Sequence, residues 1–198
     1  MTKPMFRLLV ALILAAVLAA STDARAIHPL FLPFGEGGRR LIGIDSCDEC
    51  IALCQQVHYR TLCRRLATLP AVTTPKQLLD VALRVSAAKA AMAAMRLDGA
   101  IRSGGRATGR AMMSSLQTCR ESYASLVDSL KTSRTTLKNG GSHDDLMSLL
   151  SAAGTYSTDC KDVFDERPEL KSPISGAQRH ITRLVSNCIE LAATIKQP

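Results

Sequence analysis

From Thr74 onward, apolar residues return every three or four positions: Leu78, Ala82, Val85, Ala88, Met92 and Met95. That is the period of a helix with one buried stripe. Thr74 is placed as N-cap, Pro75 as the first helical residue, and Gln77 completes a capping box. The pattern predicts a helix to about Ile101, ended by the glycine-containing run 103–109. A second helix is predicted from Arg110, with Met112, Leu116, Cys119, Tyr123, Leu126 and Leu130 on one face, until Asn-Gly-Gly-Ser at 139–142 breaks it. Ser142 then caps a third helix, whose first turn carries Asp144 and Asp145 where the helix dipole favours negative charge. The fourth begins at Pro173 and carries the cleanest stripe: Ile174, Ala177, Ile181, Leu184, Val185, Cys188, Leu191 and Ile195. Four amphipathic helices with short joints predict an all-α, up-down-up-down four-helix bundle. Met92, Met95, Met112 and Met113 are read as packing residues on or near these stripes rather than as metal ligands.

The first 26 residues have a different pattern. Lys3 and Arg7 precede an uncharged apolar run from Leu8 to Ala20, and small residues follow at Ala19-Ala20-Ser21 and Ala24-Arg25-Ala26. This is the layout of a secretory signal peptide cleaved somewhere within 19–26. The run is too short for a membrane span, which needs about 20 residues, so no membrane association is expected after cleavage. The expected organisation is signal peptide over 1–26, an N-terminal extension with a helical hairpin over 27–70, and the bundle over 71–198. Removal of the leader takes three basic residues and one acidic residue, lowering the net charge from +8 to +6. Such a charge suits an acidic polymer or protein face, and equally a plain solvated surface. With three tyrosines, four phenylalanines and no tryptophan, the chain offers no base-stacking platform, and nucleic acid is not an expected partner.

Secretion turns seven cysteines into a disulfide question. They are Cys47, Cys50, Cys54, Cys63, Cys119, Cys160 and Cys188, and the odd number leaves at least one thiol over. Cys54 and Cys63 flank Cys-Gln-Gln-Val-His-Tyr-Arg-Thr-Leu-Cys in a region of helical pattern. A straight helix would hold them roughly 13–14 Å apart, beyond the ~7 Å that a disulfide tolerates. Either they have other partners or the chain folds back between them. Cys119 and Cys160 fall where antiparallel second and third helices come side by side, so a bridge there would staple neighbours. Cys47 and Cys50 stay unassigned: they either bridge each other or remain reduced.

Catalytic and metal chemistry finds no complete residue set. His143 beside Asp144 and Asp145 lacks a second histidine at i+4, and neither H-E-x-x-H nor a paired C-x-x-C occurs. Cys47, Cys50 and His58 as zinc ligands compete with disulfide use in a secreted chain. There is no G-x-S-x-G, and no N-x-S/T sequon at Asn139 or Asn187. No enzymatic activity, metal or cofactor is expected.

Four stretches together resemble the plant invertase and pectin methylesterase inhibitor domain, over about residues 47–195. The segment 54–63 with its central Tyr59 resembles the family's first cysteine pair, and 116–130 with Tyr123 resembles the segment around the third cysteine. Ser151-Ala152-Ala153 ahead of Cys160, followed by Asp162-Val163-Phe164, is similar to the fourth. Leu184-Val185-Ser186-Asn187 resembles the family's closing motif, and members often carry an unpaired fifth cysteine there, as at Cys188. Departures are Val57 in place of the usual threonine, Arg60 in place of the proline after the tyrosine, Asp159 in place of the threonine before the fourth cysteine, and the additional Cys47 and Cys50.

The resemblance implies one inhibitor domain over about 44–196: a disulfide-clipped N-terminal helical hairpin leaning off the bundle. It implies bridges Cys54–Cys63 and Cys119–Cys160 with Cys188 as a free thiol. It also implies secretion to the apoplast or cell wall. Invertase inhibitors of the family typically carry Pro-Lys-Phe between the second and third helices, whereas this chain reads Lys138-Asn-Gly-Gly-Ser-His-Asp-Asp145 there. The implied partner is therefore a cell-wall pectin methylesterase bound one-to-one across its substrate cleft, with acid invertase as the alternative. A helical binding module for a small apolar ligand is the non-inhibitory alternative. Asp145, Ser148, Thr155 and Asp159 on the third helix are the candidate partner-binding residues, at spacings that let them share a stripe.

Overall fold

The computed structural model describes residues 47–104 and 109–195; the expected signal peptide and residues 27–46 of the N-terminal extension lie outside them. The described residues form six helices and no strand: α1 (Asp48–Gln56), α2 (Arg60–Ala67), α3 (Pro75–Gly104), α4 (Arg110–Lys138), α5 (His143–Asp165) and α6 (Ser175–Thr194). Helices α3 to α6 are the bundle, each packed on the next, and α6 returns to close the ring against α3. None of the described helices is long and apolar enough to cross a membrane.

Side-chain pairs show the alternation of direction. Asp80, early in α3, takes Nε and Nη2 of Arg134, late in α4, at 2.7 and 3.2 Å. Asp98, late in α3, meets Arg120, early in α4, at 3.2 Å. On the other side of α4 the disulfide Cys119–Cys160 joins its early part to the end of α5, with Cα atoms 4.6 Å apart. Helix α6 is tied to α5 by Thr182, whose hydroxyl donates to the Ser157 carbonyl at 3.0 Å. Arg167, in the connection after α5, reaches back to the Ala111 carbonyl and the Ser115 hydroxyl at the start of α4.

The helix starts are set locally. Thr74 Oγ1 accepts from the Gln77 N–H while Gln77 Oε1 accepts from the Thr74 and Thr73 N–H groups, which is a closed capping box. Ser142 Oγ accepts from the Asp145 N–H and caps α5. Helix α3 runs to Gly104, three residues past the predicted end, and α6 starts at Ser175 rather than Pro173. Ser172 Oγ takes the Ile174 N–H at 3.3 Å, so Pro173 belongs to the turn before the helix.

The buried stripe of α3 differs from the predicted one. Leu79, Leu83, Ser86, Ala90, Ala93 and Leu97 are buried, at alternating steps of three and four. Ala88 is exposed, and Met92 and Met95 point outward with 46% and 63% of their surface accessible. Reading both as core residues is thus corrected. In so alanine-rich a helix the periodicity fits more than one face, and the buried positions Ala90 and Ala93 are filled by small side chains rather than by methionine. Met112 and Met113 are half-buried. Ser86 is hidden from a hydrophobic count because its hydroxyl donates to the Ala82 carbonyl at 2.7 Å and so needs no water.

Ahead of the bundle, α1 and α2 form the hairpin. The chain folds back at Val57–Tyr59, bringing the Cα atoms of Cys54 and Cys63 to 5.4 Å, where they are bridged. Cys47, which caps α1, is bridged to Cys50. The remaining thiol, Cys188, is wholly buried in α6 with Ser86 Oγ 3.5 Å from its sulfur. Burial pushes its pKa up to about 12, against a smaller opposing effect of the Ser86 hydrogen bond.

Candidate docking surface

Helix α5 has a divided surface because its buried residues keep strict register. Leu146, Leu150, Ala153, Ser157, Cys160 and Phe164 face the bundle, which turns Asp144, Asp145, Ser148, Ser151 and Thr155 to solvent. The Cys119–Cys160 bridge holds its C-terminal half against α4. Gly154 lets α6 approach closely: a Cβ there would sit 3.2 Å from Ile189 Cδ1. The outer face is thereby presented on a rigid support, which is what a preformed protein-binding surface requires.

Of the four predicted contact residues, Asp145, Ser148 and Thr155 are exposed and lie on this face. Asp159 stands at its edge. It is half-buried and its carboxylate accepts from the Ser122 hydroxyl of α4 at 3.2 Å. Thr155 donates its hydroxyl to the Ser151 carbonyl within the helix. Helix α5 carries five aspartates against one lysine, Lys161, which is paired with Asp165. The face is thus acidic on a chain that is basic overall. His143 opens α5 with a buried Nδ1 that has no partner among the described residues. Among those residues no group of three His, Cys, Asp or Glu side chains could hold a metal ion.

The connection leading into α5 is a tight turn. Helix α4 ends at Lys138 with Asn139 as C-cap, Gly140 takes the left-handed conformation at φ 67°, and the Gly141 N–H reaches back to the Thr136 carbonyl at 2.9 Å. This is the Schellman pattern. A Cβ on Gly141 would come within 2.6 Å of Thr136 Cγ2. Only Asn139–Ser142 separate the two helices, and nothing projects from this end as an insertable loop.

A second feature was missed by the sequence patterns. The turn between α1 and α2 is docked on α6: Asn187 Oδ1 accepts from the Tyr59 N–H, Asn187 Nδ2 donates to the Tyr59 carbonyl, and Glu190 accepts from the His58 N–H. Arg183 lies over the Tyr59 ring, 5.5 Å from its centroid. Beside this contact is an open groove of about 510 Å³ lined by His58, Tyr59, Arg60, Arg65, His180 and Arg183, with Thr61 and Leu62. The one sequence signal was Arg60, where the family's usual residue is proline.

Residues 49–191 match the family model described as plant invertase/pectin methylesterase inhibitor. The fold is shared with the crystal structure of mutant form A of a pectin methylesterase inhibitor from Arabidopsis, at TM-score 0.65 and 18% identity, covering 76% of this chain and 99% of that one. A second crystal structure, of a pectin methylesterase inhibitor from Arabidopsis thaliana, aligns at TM-score 0.58 and 18% identity over 76% of this chain and 98% of the other. No curated protein sequence matches the chain significantly.

Proposed function

The chain belongs to the plant invertase/pectin methylesterase inhibitor family, and we propose that within it the chain is a secreted inhibitor of a cell-wall pectin methylesterase. It performs no chemistry itself. The outer face of α5, with Asp145, Ser148 and Thr155 and the edge residue Asp159, lies against the esterase in a one-to-one complex and closes the substrate cleft. A rigid helical face loses little conformational freedom on docking, which favours affinity. Its acidic character suits a basic rim on the enzyme and speeds encounter at low salt.

The observation that carries the choice of target is the Asn139–Ser142 turn. An invertase-type inhibitor would need an insertable tripeptide at this end, and the Schellman turn leaves no segment to insert. Signal cleavage within 19–26 would deliver the mature chain to the apoplast.

Titration of a plant pectin methylesterase and an acid invertase with one preparation of the mature chain tests the reading. The expected result is loss of esterase activity in proportion to added inhibitor, complete near equimolar amounts, with invertase unaffected. Inhibition of invertase alone would reassign the target, and silence against several of each, with displacement of an apolar dye, would support a ligand carrier instead.

A further inference from the structure

Three basic side chains without acidic partners among the described residues converge on the groove between the hairpin and α6. Arg60 and Arg65 come from α2, Arg183 from α6, and the imidazoles of His58 and His180 stand at the same opening. None of the three arginines forms a salt bridge among the described residues, whereas Arg120, Arg134, Lys138 and Lys161 all do. The nearest carboxylate by contact, Glu190, accepts from the His58 N–H and the Ser186 hydroxyl. It belongs to the fastening of the turn, and no acidic residue among those described lines the groove.

The first turn of α2 lines the groove as well, through Arg60, Thr61 and Leu62. Its N-cap, Tyr59, makes no side-chain capping bond, so the positive end of that helix opens on the same space. The charge separation is also uneven across the molecule. Helices α2 and α6 together carry five arginines and one glutamate, while α5 is dominated by aspartate.

We propose that this groove binds a polycarboxylate sugar chain, a short run of uronate residues, on a face separate from the α5 docking surface. Arginine forks match planar carboxylates two-pronged, better than they match a diffuse charge. Their spread over two helices suits an anion with several charges along its length, and a groove of about 510 Å³ has room for a ligand of several rings rather than one ion. The half-buried Tyr59 ring adds an apolar wall with Arg183 against it. The choice of uronate over other polyanions rests on the esterase reading, since hydrolysis of a methyl-esterified uronide leaves carboxylates in a row. The inhibitor would then be held on the de-esterified product of the enzyme that it restrains.

Isothermal titration of the mature chain with a de-esterified oligogalacturonate, its fully methyl-esterified counterpart of equal length, and inorganic phosphate tests this. The de-esterified oligomer is expected to bind, more weakly as salt is raised, with no binding by the neutral oligomer and no competition from phosphate. The double variant Arg60→Gln/Arg65→Gln should weaken binding by about tenfold or more, the loss of one or more charge-assisted contacts, at unchanged melting temperature. Both residues are exposed, and Arg183, which touches Tyr59, is left in place. The same variant should inhibit the esterase as the parent does. Failure of the oligomer to bind, equal binding of both oligomers, competition by phosphate, or unchanged affinity in the variant would each overturn the proposal. So would a variant that loses esterase inhibition while still holding the oligomer, because the groove would then belong to the enzyme interface. A parent chain that inhibits no esterase leaves these binding arms readable and counts against the proposed target alone.

Discussion

The side-chain amide of Asn187 closes two hydrogen bonds on the backbone of one residue, Tyr59: its oxygen accepts from the N–H at 3.3 Å and its nitrogen donates to the carbonyl at 3.1 Å. Asn187 is fully buried in α6 and Tyr59 is the N-cap of the second helix of the hairpin, so 128 residues of sequence separation are spanned by one amide. The asparagine carboxamide presents donor and acceptor on adjacent atoms, as this two-way contact needs.

Asn187→Ala is expected to cost about 2 kcal/mol, because it strands the half-buried Tyr59 N–H, while the Tyr59 carbonyl keeps the Leu62 and Cys63 N–H groups. Asn187→Asp keeps the acceptor and loses the donor, and should be no better. Hydrogen exchange should rise over α1 and α2 well before it rises in α3 to α6. Uniform acceleration across all six helices would show that the hairpin has no separate opening.

The two longer bridges should differ in weight. Replacing Cys119 and Cys160 by Ser opens a loop with a sequence separation of 41 between two core helices and should cost about 4 kcal/mol on the chain-entropy model. Replacing Cys54 and Cys63, separated by 9, should cost roughly 2.5 kcal/mol on the same model and loosen mainly the hairpin. Equal losses in thermal or denaturant melts would place the hairpin in the same cooperative unit as the bundle.

The Cys188 thiol should stay silent toward a thiol reagent at pH 8 in the native chain and react once the chain is unfolded. Its pKa is raised in the fold, from 9.0 to about 12. The neutral thiol is therefore favoured by folding, and its contribution is fully present below pH 9. As pH climbs from 9 toward 12 the unfolded chain releases this proton and the folded chain does not, so stability falls. Cys188→Ala should show a shallower decline over that window than the parent, measured as the difference between two urea-melt series. Parallel declines would show that the thiol is not buried as described.

Tyr123 is fully buried in α4 and its hydroxyl has no partner among the described residues. Burial raises its pKa. Tyr123→Phe removes an unpaired polar atom and keeps the ring, so the melting temperature should be unchanged or higher. A loss of more than about 1 kcal/mol would show that the hydroxyl has a partner worth a net hydrogen bond.

On α5, the double variant Ser148→Arg/Thr155→Arg puts bulk and positive charge on the proposed contact face. It should reduce esterase inhibition by about tenfold or more, as expected for disrupting the centre of a docking surface, with little change in melting temperature. Asp159→Thr, which restores the residue usual in the family, should keep or improve inhibition despite losing the Ser122 hydrogen bond. Unchanged inhibition in the double variant would move the interface off this helix.

Much of the fold could be read in the sequence where the local chemistry was unambiguous. The Thr74–Gln77 box, the Ser142 cap and the Asn139–Ser142 break each specify a helix end through hydrogen bonds made within a few residues. The face of α3 could not be read, because alanine fits either side and Ser86 satisfies its own hydroxyl inside the core. The candidate surface was legible only in part. Spacing grouped Asp145, Ser148 and Thr155, but the half-burial of Asp159 depends on Ser122 from another helix. Apart from the Arg60 departure, the groove was illegible for the same reason: Arg60 and Arg183 are far apart in sequence and meet where Asn187 and Glu190 fasten the turn.

The disulfides Cys47–Cys50, Cys54–Cys63 and Cys119–Cys160 follow one another along the chain without interleaving. A polypeptide that enters an oxidising compartment N-terminus first can therefore complete each pair before the next cysteine of a later pair arrives. At no stage does a correct bridge have to wait across an unpaired stranger. Cys188, the last in sequence, would then meet only sulfurs that are already paired, and in the fold it is buried in α6. Where the chain is oxidised during such entry, this topology permits vectorial pairing, with little demand for an isomerase to undo wrong pairings.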